Sequence, residues 1–207
     1  MIAQRRKQPR DDLISRLVAA EERGDALSED EMLGTVALLL VAGNETTTHL
    51  ISTGMLVLFR NPDQMERLRA DPSLLPSAVE EILRYAGPVH TTRRVARANV
   101  TLSGAEIESG DVVITLLAAA NRDPAKYLDP DRFDIARNPT DHLAFGDGIH
   151  FCLGAALARL EAQIAIGTLL RRFANLRLLD EVEWAGTPGG RTAVVAIRGV
   201  ARLRVAP

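Results

Sequence analysis

The sequence predicts a mainly α chain with a minor β part (α+β). Three observations carry that expectation. A capping box, Ser28-Glu29-Asp30-Glu31, opens an apolar stretch that reaches Phe59. Further stretches with helical spacing lie at 61–69, 77–85 and about 155–173, opened or closed by proline or glycine. β patterns are confined to 99–117 and 176–205.

Taken in order, 12–23 has helical spacing, with Leu13, Leu17 and Val18 inward and Glu21, Glu22 and Arg23 outward. The next helix, 28–59, is apolar on nearly every side, which implies burial in the middle of a domain, broken only by a polar cluster at its centre. Asn61-Pro62 opens a short amphipathic helix through Arg69, and Pro76 opens another that Gly87-Pro88 terminates. The β part begins with Val100-Thr101-Leu102, a Ser103-Gly104 turn and Ile107, followed by Gly110-Asp111 and an apolar run from Val112 to Leu117. Residues 121–140 are rich in Asp, Pro, Asn and Arg and read as an irregular meander. A Gly-rich loop at 146–154 leads into a helix to about Phe173, and strands around a turn at 186–190 finish the chain.

The 207 residues, 46% hydrophobic and 25% charged, suit a packed domain and not a disordered chain. A formal charge of −2 offers no nucleic-acid or anionic-membrane footprint. All but two of the 25 basic residues (Lys7 and Lys126) are arginine, the residue suited to internal ion pairs and acidic ligands. The longest apolar run, 32–42, is too short to span a bilayer, and no secretory signal is visible. Cys152 is the only cysteine, which excludes an internal disulfide or a multi-cysteine zinc site and fits a reducing compartment.

That cysteine lies in His142-Leu143-Ala144-Phe145-Gly146-Asp147-Gly148-Ile149-His150-Phe151-Cys152-Leu153-Gly154, just before a long helix. Glycines let the backbone take positive φ and leave room for a bulky neighbour. A helix start directs N–H groups and the positive end of its dipole at the sulfur, the setting of a thiolate nucleophile, redox sensor or metal ligand. Two other readings stand beside it: a small buried hydrophobe, and a Cys-His hydrolase with His150 nearby. His49, His90 and His142 add no catalytic pattern to the hydrolase reading.

Phe145-Gly146-x-Gly148-x-His150-x-Cys152-x-Gly154 resembles the heme-binding loop of the cytochrome P-450 superfamily, in its soluble bacterial form. The resemblance implies that Cys152 is the proximal ligand of the iron of heme b (iron protoporphyrin IX). It implies that Gly146 and Gly148 shape the loop, Phe145 packs beneath the heme, Gly154 lets the helix pass close to it, and His150 contacts a propionate.

Three constellations extend the resemblance. Glu81-Ile82-Leu83-Arg84 places an acid and a base three residues apart on a helix, an ordinary ion pair when taken alone. In the family this Glu-x-x-Arg joins an arginine of the meander in a buried structural network, and Arg132 in Pro130-Asp131-Arg132-Phe133 is the matching partner. Ala42-Gly43-Asn44-Glu45-Thr46-Thr47 interrupts the most apolar helix, where hydroxyls can bond back to carbonyls and open a bulge. It resembles the family's oxygen-activation segment. Glu45 is then the acid of the proton route, Thr46 the alcohol of the oxygen-activation step, Gly43 leaves room for dioxygen, and Ala42 belongs to the cofactor-binding set. Pro88-Val89-His90-Thr91-Thr92-Arg93-Arg94-Val95-Ala96 resembles the turn and strand beside the heme. Counted back from Gly104, Arg94 takes the propionate-binding place; Arg93 reads as a surface charge.

The resemblance covers only about the C-terminal half of the family fold, so 1–207 reads as one partial domain, with the missing N-terminal half as a candidate partner. It implies a monooxygenase that inserts one atom of O2 into a small organic substrate. Electrons come from NAD(P)H through a ferredoxin-type or flavoprotein donor docked around the cysteine loop. Val41, Val89, Thr91 and Thr92 face that substrate in a largely apolar cavity, and the likeness to soluble members points to the cytoplasm. The alternative is a truncated, catalytically incompetent or merely heme-binding fragment. A helix apolar on all faces lacks part of its cover here. An exposed apolar patch well above ~600 Å² is therefore expected, with weak or no heme binding by the isolated chain.

Overall fold

Capping chemistry sets where the second and third helices begin. The computed structural model describes residues 1–22, 28–185 and 196–207, so the Gly-rich turn expected at 186–190 and the outward Arg23 lie outside the described residues. Two compact units result, Met1–Glu45 and Thr46–Pro207.

In the first unit, α1 (Ile2–Lys7) precedes α2 (Leu13–Glu22), and α3 (Glu29–Arg60) begins there before continuing into the second unit. Asp12 caps α2 by accepting the Ser15 backbone N–H at 2.9 Å. The Ser15 backbone N–H, then the Arg5 guanidinium and the Ser15 hydroxyl, all bonding to the Asp12 carboxylate, carry it down to about 2. Ser28 and Glu31 form the expected reciprocal capping box at 2.8 and 3.3 Å. Val18 is buried as expected, but Leu13 is exposed, because buried Ser15 joins Val18 on the inward side of α2 and bonds to the cap. The apolar start of α3 is not enclosed either: Leu38, Leu40 and Val41 are 64%, 71% and 65% exposed. Nor does the polar cluster open a bulge, for α3 is α-helical without a break from Glu29 to Arg60.

In the second unit, α4 (Pro62–Ala70) and α5 (Leu75–Ala86) follow within two residues of the expected ends, with α7 (Ala155–Arg172) later in the chain. Their apolar faces meet the end of α3 in a core built on Leu50, Leu58, Ile82 and Ile166, each 2% exposed or less. Burial of such side chains is worth roughly 1.5–3 kcal/mol apiece.

Among the described residues, four two-stranded antiparallel sheets make up the minor β part. β1 (Thr91–Val95) pairs with β4 (Val112–Leu116), with Thr92 opposite Thr115 and Arg94 opposite Val113. β2 (Val100–Leu102) and β3 (Ala105–Ile107) form a hairpin. Its turn residues Ser103 and Gly104 both take positive φ, 51° and 83°, as a two-residue turn between twisted strands requires. The apolar run from Val112 stops being a strand at Leu116; Leu117–Ala120 folds as a short helix, α6, because its alanines favour helix. β5 (Arg177–Leu178) pairs with β8 (Val205–Ala206), and β6 (Glu183–Trp184) with β7 (Val200–Arg202). The meander between α6 and the cysteine loop is held chiefly by side chains that reach back to α5.

Candidate functional site

Every residue of α5 from Ala78 to Arg84 is buried, three charged ones included. Buried charges need partners, and the sequence supplies two sets. In the first, Glu81 takes two hydrogen bonds from Arg84, both at 2.8 Å, with neither side chain exposed. Arg84 Nη1 also donates to the carbonyls of Asn121 and Pro130, at 2.8 and 2.9 Å, pinning the start and middle of the meander.

The third member of this set is Arg137, not Arg132. Arg137 Nε lies 3.2 Å from Glu81 Oε1, and its Nη atoms donate to the carbonyls of Leu128, Asp129 and Arg132. Arg132 contributes a carbonyl; its guanidinium is 64% exposed and points to Asp134 at 3.4 Å. The chain reverses at Arg132–Arg137, so the arginine five residues later reaches the interior.

The second set was not legible in the sequence. Glu80 accepts from Arg159 Nε at 2.6 Å and Nη2 at 3.0 Å, and lies 3.1 Å from His142 Nε2. The Ala144 backbone N–H donates to His142 Nδ1 at 3.2 Å, which leaves Nε2 to carry the proton and donate to Glu80. Burial alone would raise the Glu80 carboxyl; the bonds from His142 and Arg159 outweigh it and hold the group at about 2. The Glu80 bond, acting against partial burial, raises the Arg159 guanidinium, helped by the charges of Glu80 and Cys152. Arg159 also lies over the Phe145 ring, 4.6 Å from its centroid. One carboxylate of α5 thus ties both ends of the cysteine loop, His142 before it and Arg159 after it.

Between those anchors the loop is shaped by its backbone. Gly146 and Gly148 take φ of 73° and 66°, values that cost other residues strain. The Cys152 N–H donates to the Phe145 carbonyl at 2.9 Å, and Gly148–His150 makes a single 3₁₀ turn. Gly154 caps α7, and a Cβ there would lie 4.0 Å from the Cys152 sulfur. Phe145 is half-buried against His142 and Phe151. Cys152 is exposed, which removes the reading of it as a buried small hydrophobe. Ile149 and Leu153 beside it are 98% and 92% exposed, and His150 is exposed too. The loop therefore presents one sulfur donor on an apolar rim with an imidazole beside it.

β1 brings two more of the expected residues to one face. Thr92 and Arg94 share a side of the strand, with Arg94 Nη1 3.5 Å from Thr92 Oγ1 and Thr92 Oγ1 2.6 Å from Thr115 Oγ1. Thr91 falls on the opposite side, so the two threonines do not line one surface. Val89 pairs with Ile197 in an isolated bridge. Arg93 and Arg94 are both exposed. Val41, Ala42, Gly43 and Glu45 lie exposed on the first-unit part of α3, and a Cβ on Gly43 would meet nothing within 4 Å. Thr46, half-buried, opens the second unit.

The donor chemistry sets what this loop can hold. Among the described residues no three His, Cys, Asp or Glu side chains cluster to hold a metal ion. A metal at Cys152 would therefore have to bring its other ligands with it. An exposed thiol on an apolar rim, with cationic side chains for anionic groups, fits a planar apolar macrocycle that carries its own metal and acidic substituents. Heme is such a group. Among the described residues no helix is long and apolar enough to cross a membrane.

Comparison with known proteins agrees. The family described as Cytochrome P-450 matches residues 2–181. The chain is 51% identical to cytochrome P-450 107B1 of Saccharopolyspora erythraea over 212 residues, covering 100% of this chain and 50% of that protein. It is 53% identical to cytochrome P-450 CYP107DY1 of Priestia megaterium over 183 residues, covering 88% of this chain and 45% of that one. The crystal structure of CYP109E1 from Bacillus megaterium in complex with testosterone superposes with a TM-score of 0.92 at 39% identity, over 99% of this chain and 52% of that one. The chain spans about half the length of the relatives it matches.

Proposed function

The chain belongs to the cytochrome P-450 family, and we propose that residues 1–207 are one partial domain, the C-terminal half of a heme-thiolate monooxygenase. When bound, heme b supplies the oxygen-activating chemistry, with O2 as co-substrate and electrons from NAD(P)H through a ferredoxin-type or flavoprotein donor.

The chain's own residues bind and position. Cys152 ligates from its exposed place before α7, on a loop whose glycines at positive φ bring the sulfur outward. His150 and Arg94 contact the propionates, and Phe145 packs beneath the heme. Ala42 and Gly43 keep α3 narrow where a small gas must fit. Glu45 and Thr46, one turn from them, hold and pass a proton at the carboxyl and hydroxyl oxygens. Val41, Val89, Thr91 and Thr92 contact a small, largely apolar substrate, and an electron donor docks around the cysteine loop. Glu81, Arg84 and Arg137 hold the scaffold without touching the chemistry. The likeness to soluble bacterial relatives supports a cytoplasmic place.

The observation that carries this reading is the exposed sulfur on a braced loop, tied at both ends to Glu80. Its test is the absorption spectrum of the heme-saturated chain, reduced and exposed to carbon monoxide, beside that of C152S. A thiolate-type band present in the wild type and lost in C152S is expected; a band that survives the substitution overturns the proposal. The exposed Leu38, Leu40 and Val41 favour a second reading, a fragment that binds heme weakly and turns over little. It predicts the same band only at high heme concentration and no turnover with an added donor.

A further inference from the structure

Away from the cysteine loop, the second unit contains a cavity of ≈ 460 Å³ between the end of α3, the end of α5, α6 and the terminal strands. No residue of 143–154 lines it. Of the residues assigned above to substrate it includes only Val89.

Its charge is one-sided. Arg60, Arg84, Arg122 and Arg198 line it together with His90, and among the described residues no aspartate or glutamate does. Arg84 is matched by Glu81 and Arg122 by Asp131, the latter at 2.6 Å. Arg60 and Arg198, both exposed at the rim, are in no ion pair among the described residues. Arg198 instead lies over the indole of Trp184, 4.2 Å from the ring centroid. The imbalance is felt inside: burial, then the charges of Arg198 and Arg122, push His90 below the usual imidazole range.

Thr53 adds an independent sign of a ligand. It is 6% exposed, lines the same cavity, and its hydroxyl has no hydrogen-bond partner among the described residues. Buried polar groups without partners are rare and call for an explanation. Leu56, Val57, Ala118 and Trp184 supply apolar parts of the same lining. The volume falls within the range of small-molecule sites.

We propose that this cavity binds a small organic carboxylate carrying a second polar group, the anion meeting Arg60 and Arg198 and the far polar atom meeting the Thr53 hydroxyl. An anion at the rim neutralises two cations that no carboxylate among the described residues matches. A chain of a few carbons spans the apolar wall.

Trp184 is the only tryptophan of the chain, so its emission reports the site directly. The probes are 6-hydroxyhexanoate, hexanoate and the neutral hexane-1,6-diol, titrated into the full chain. Saturable change with 6-hydroxyhexanoate is expected, at least ~10-fold tighter than the diol, since a charge-assisted bond is roughly twice as strong as a neutral one. R60Q and R198Q should each weaken it about 5- to 10-fold. T53V should bring 6-hydroxyhexanoate down to the affinity of hexanoate, whereas R16Q, in the first unit, should change nothing. C152S should bind like the wild type, so failure of the heme reading leaves this test intact. No saturable response, a diol as tight as the acid, wild-type affinity in both glutamine variants, or T53V without effect on 6-hydroxyhexanoate overturns the proposal.

Discussion

Arg84 and Glu81 face each other across one turn of α5, joined by two hydrogen bonds of 2.8 Å with neither side chain reaching solvent. A pair in that position is held by its surroundings as much as by itself: Arg84 spends its remaining donors on meander carbonyls, and Glu81 accepts from Arg137 and from the Asp134 N–H. Removal of one partner strands the other in a low-dielectric interior.

E81Q should therefore lower stability to urea by about 3–5 kcal/mol, far above the tenths of a surface pair. R137A should cost about 1–3 kcal/mol, because the carbonyls of Leu128, Asp129 and Arg132 lose their donor. R132A, whose guanidinium is solvated, should cost less than about 0.5 kcal/mol. Equal losses in R132A and R137A would refute the assignment of Arg137.

The Glu80 network predicts a pH dependence whose sign is fixed. The carboxyl is near 4.5 when unfolded and about 2 when folded, so between those values the unfolded chain binds the extra proton. Stability from Glu80 is fully present above pH 4.5 and is lost as pH falls towards 2. E80Q should be less stable than the wild type at neutral pH and should show a flatter urea midpoint between pH 4.5 and 2. A parallel decline in both proteins would show that Glu80 is not the group responsible.

Loop glycines should divide by backbone and not by space. A Cβ on Gly148 meets nothing within 4 Å, yet its φ of 66° costs an L side chain roughly 1–2 kcal/mol. Gly154 has an ordinary φ, and its added methyl would only touch the Cys152 sulfur at 4.0 Å. G148A is expected to destabilise the chain by that amount and G154A by less than about 0.5 kcal/mol. The reverse order would mean that crowding at the sulfur, not backbone strain, limits the loop.

What the sequence disclosed follows the range of the interactions involved. The capping box at Ser28, the proline starts of α4 and α5 and the Ser103-Gly104 turn are local, and each formed where its residues stand. α1 was missed because Ile2–Lys7 is under two turns long, with only Ile2 and Ala3 apolar, so no periodicity marks it. Leu13 was misplaced because spacing alone ranks it with Val18, while the cap draws Ser15 inward. Glu-x-x-Arg was visible as a pair, but its third member depends on how the meander folds back. His142 and Arg159 lie 62 and 79 residues from Glu80, and only the packing of α5 against α7 and the loop brings them together. The cysteine motif named the loop and its glycines; the carboxylate that braces it from outside carried no local signal.

The exposed start of α3 leads to the last expectation. Leu38 and Leu40 are 64% and 71% exposed, whereas Leu56 and Leu58 on the same helix are 1% and 0% exposed. A leucine that gains no burial contributes nothing to folding, but it leaves apolar surface for association. L38E and L40E together should suppress light scattering at high protein concentration while the urea midpoint shifts by less than about 0.5 kcal/mol of stability. L58A, in contrast, should cost about 2–5 kcal/mol through its cavity. Destabilisation by the double glutamate as large as that of L58A would mean that these leucines are buried when the chain is folded in solution. The apolar first half of α3 would then already have its cover within this polypeptide, and neither its association nor its weak hold on heme would follow.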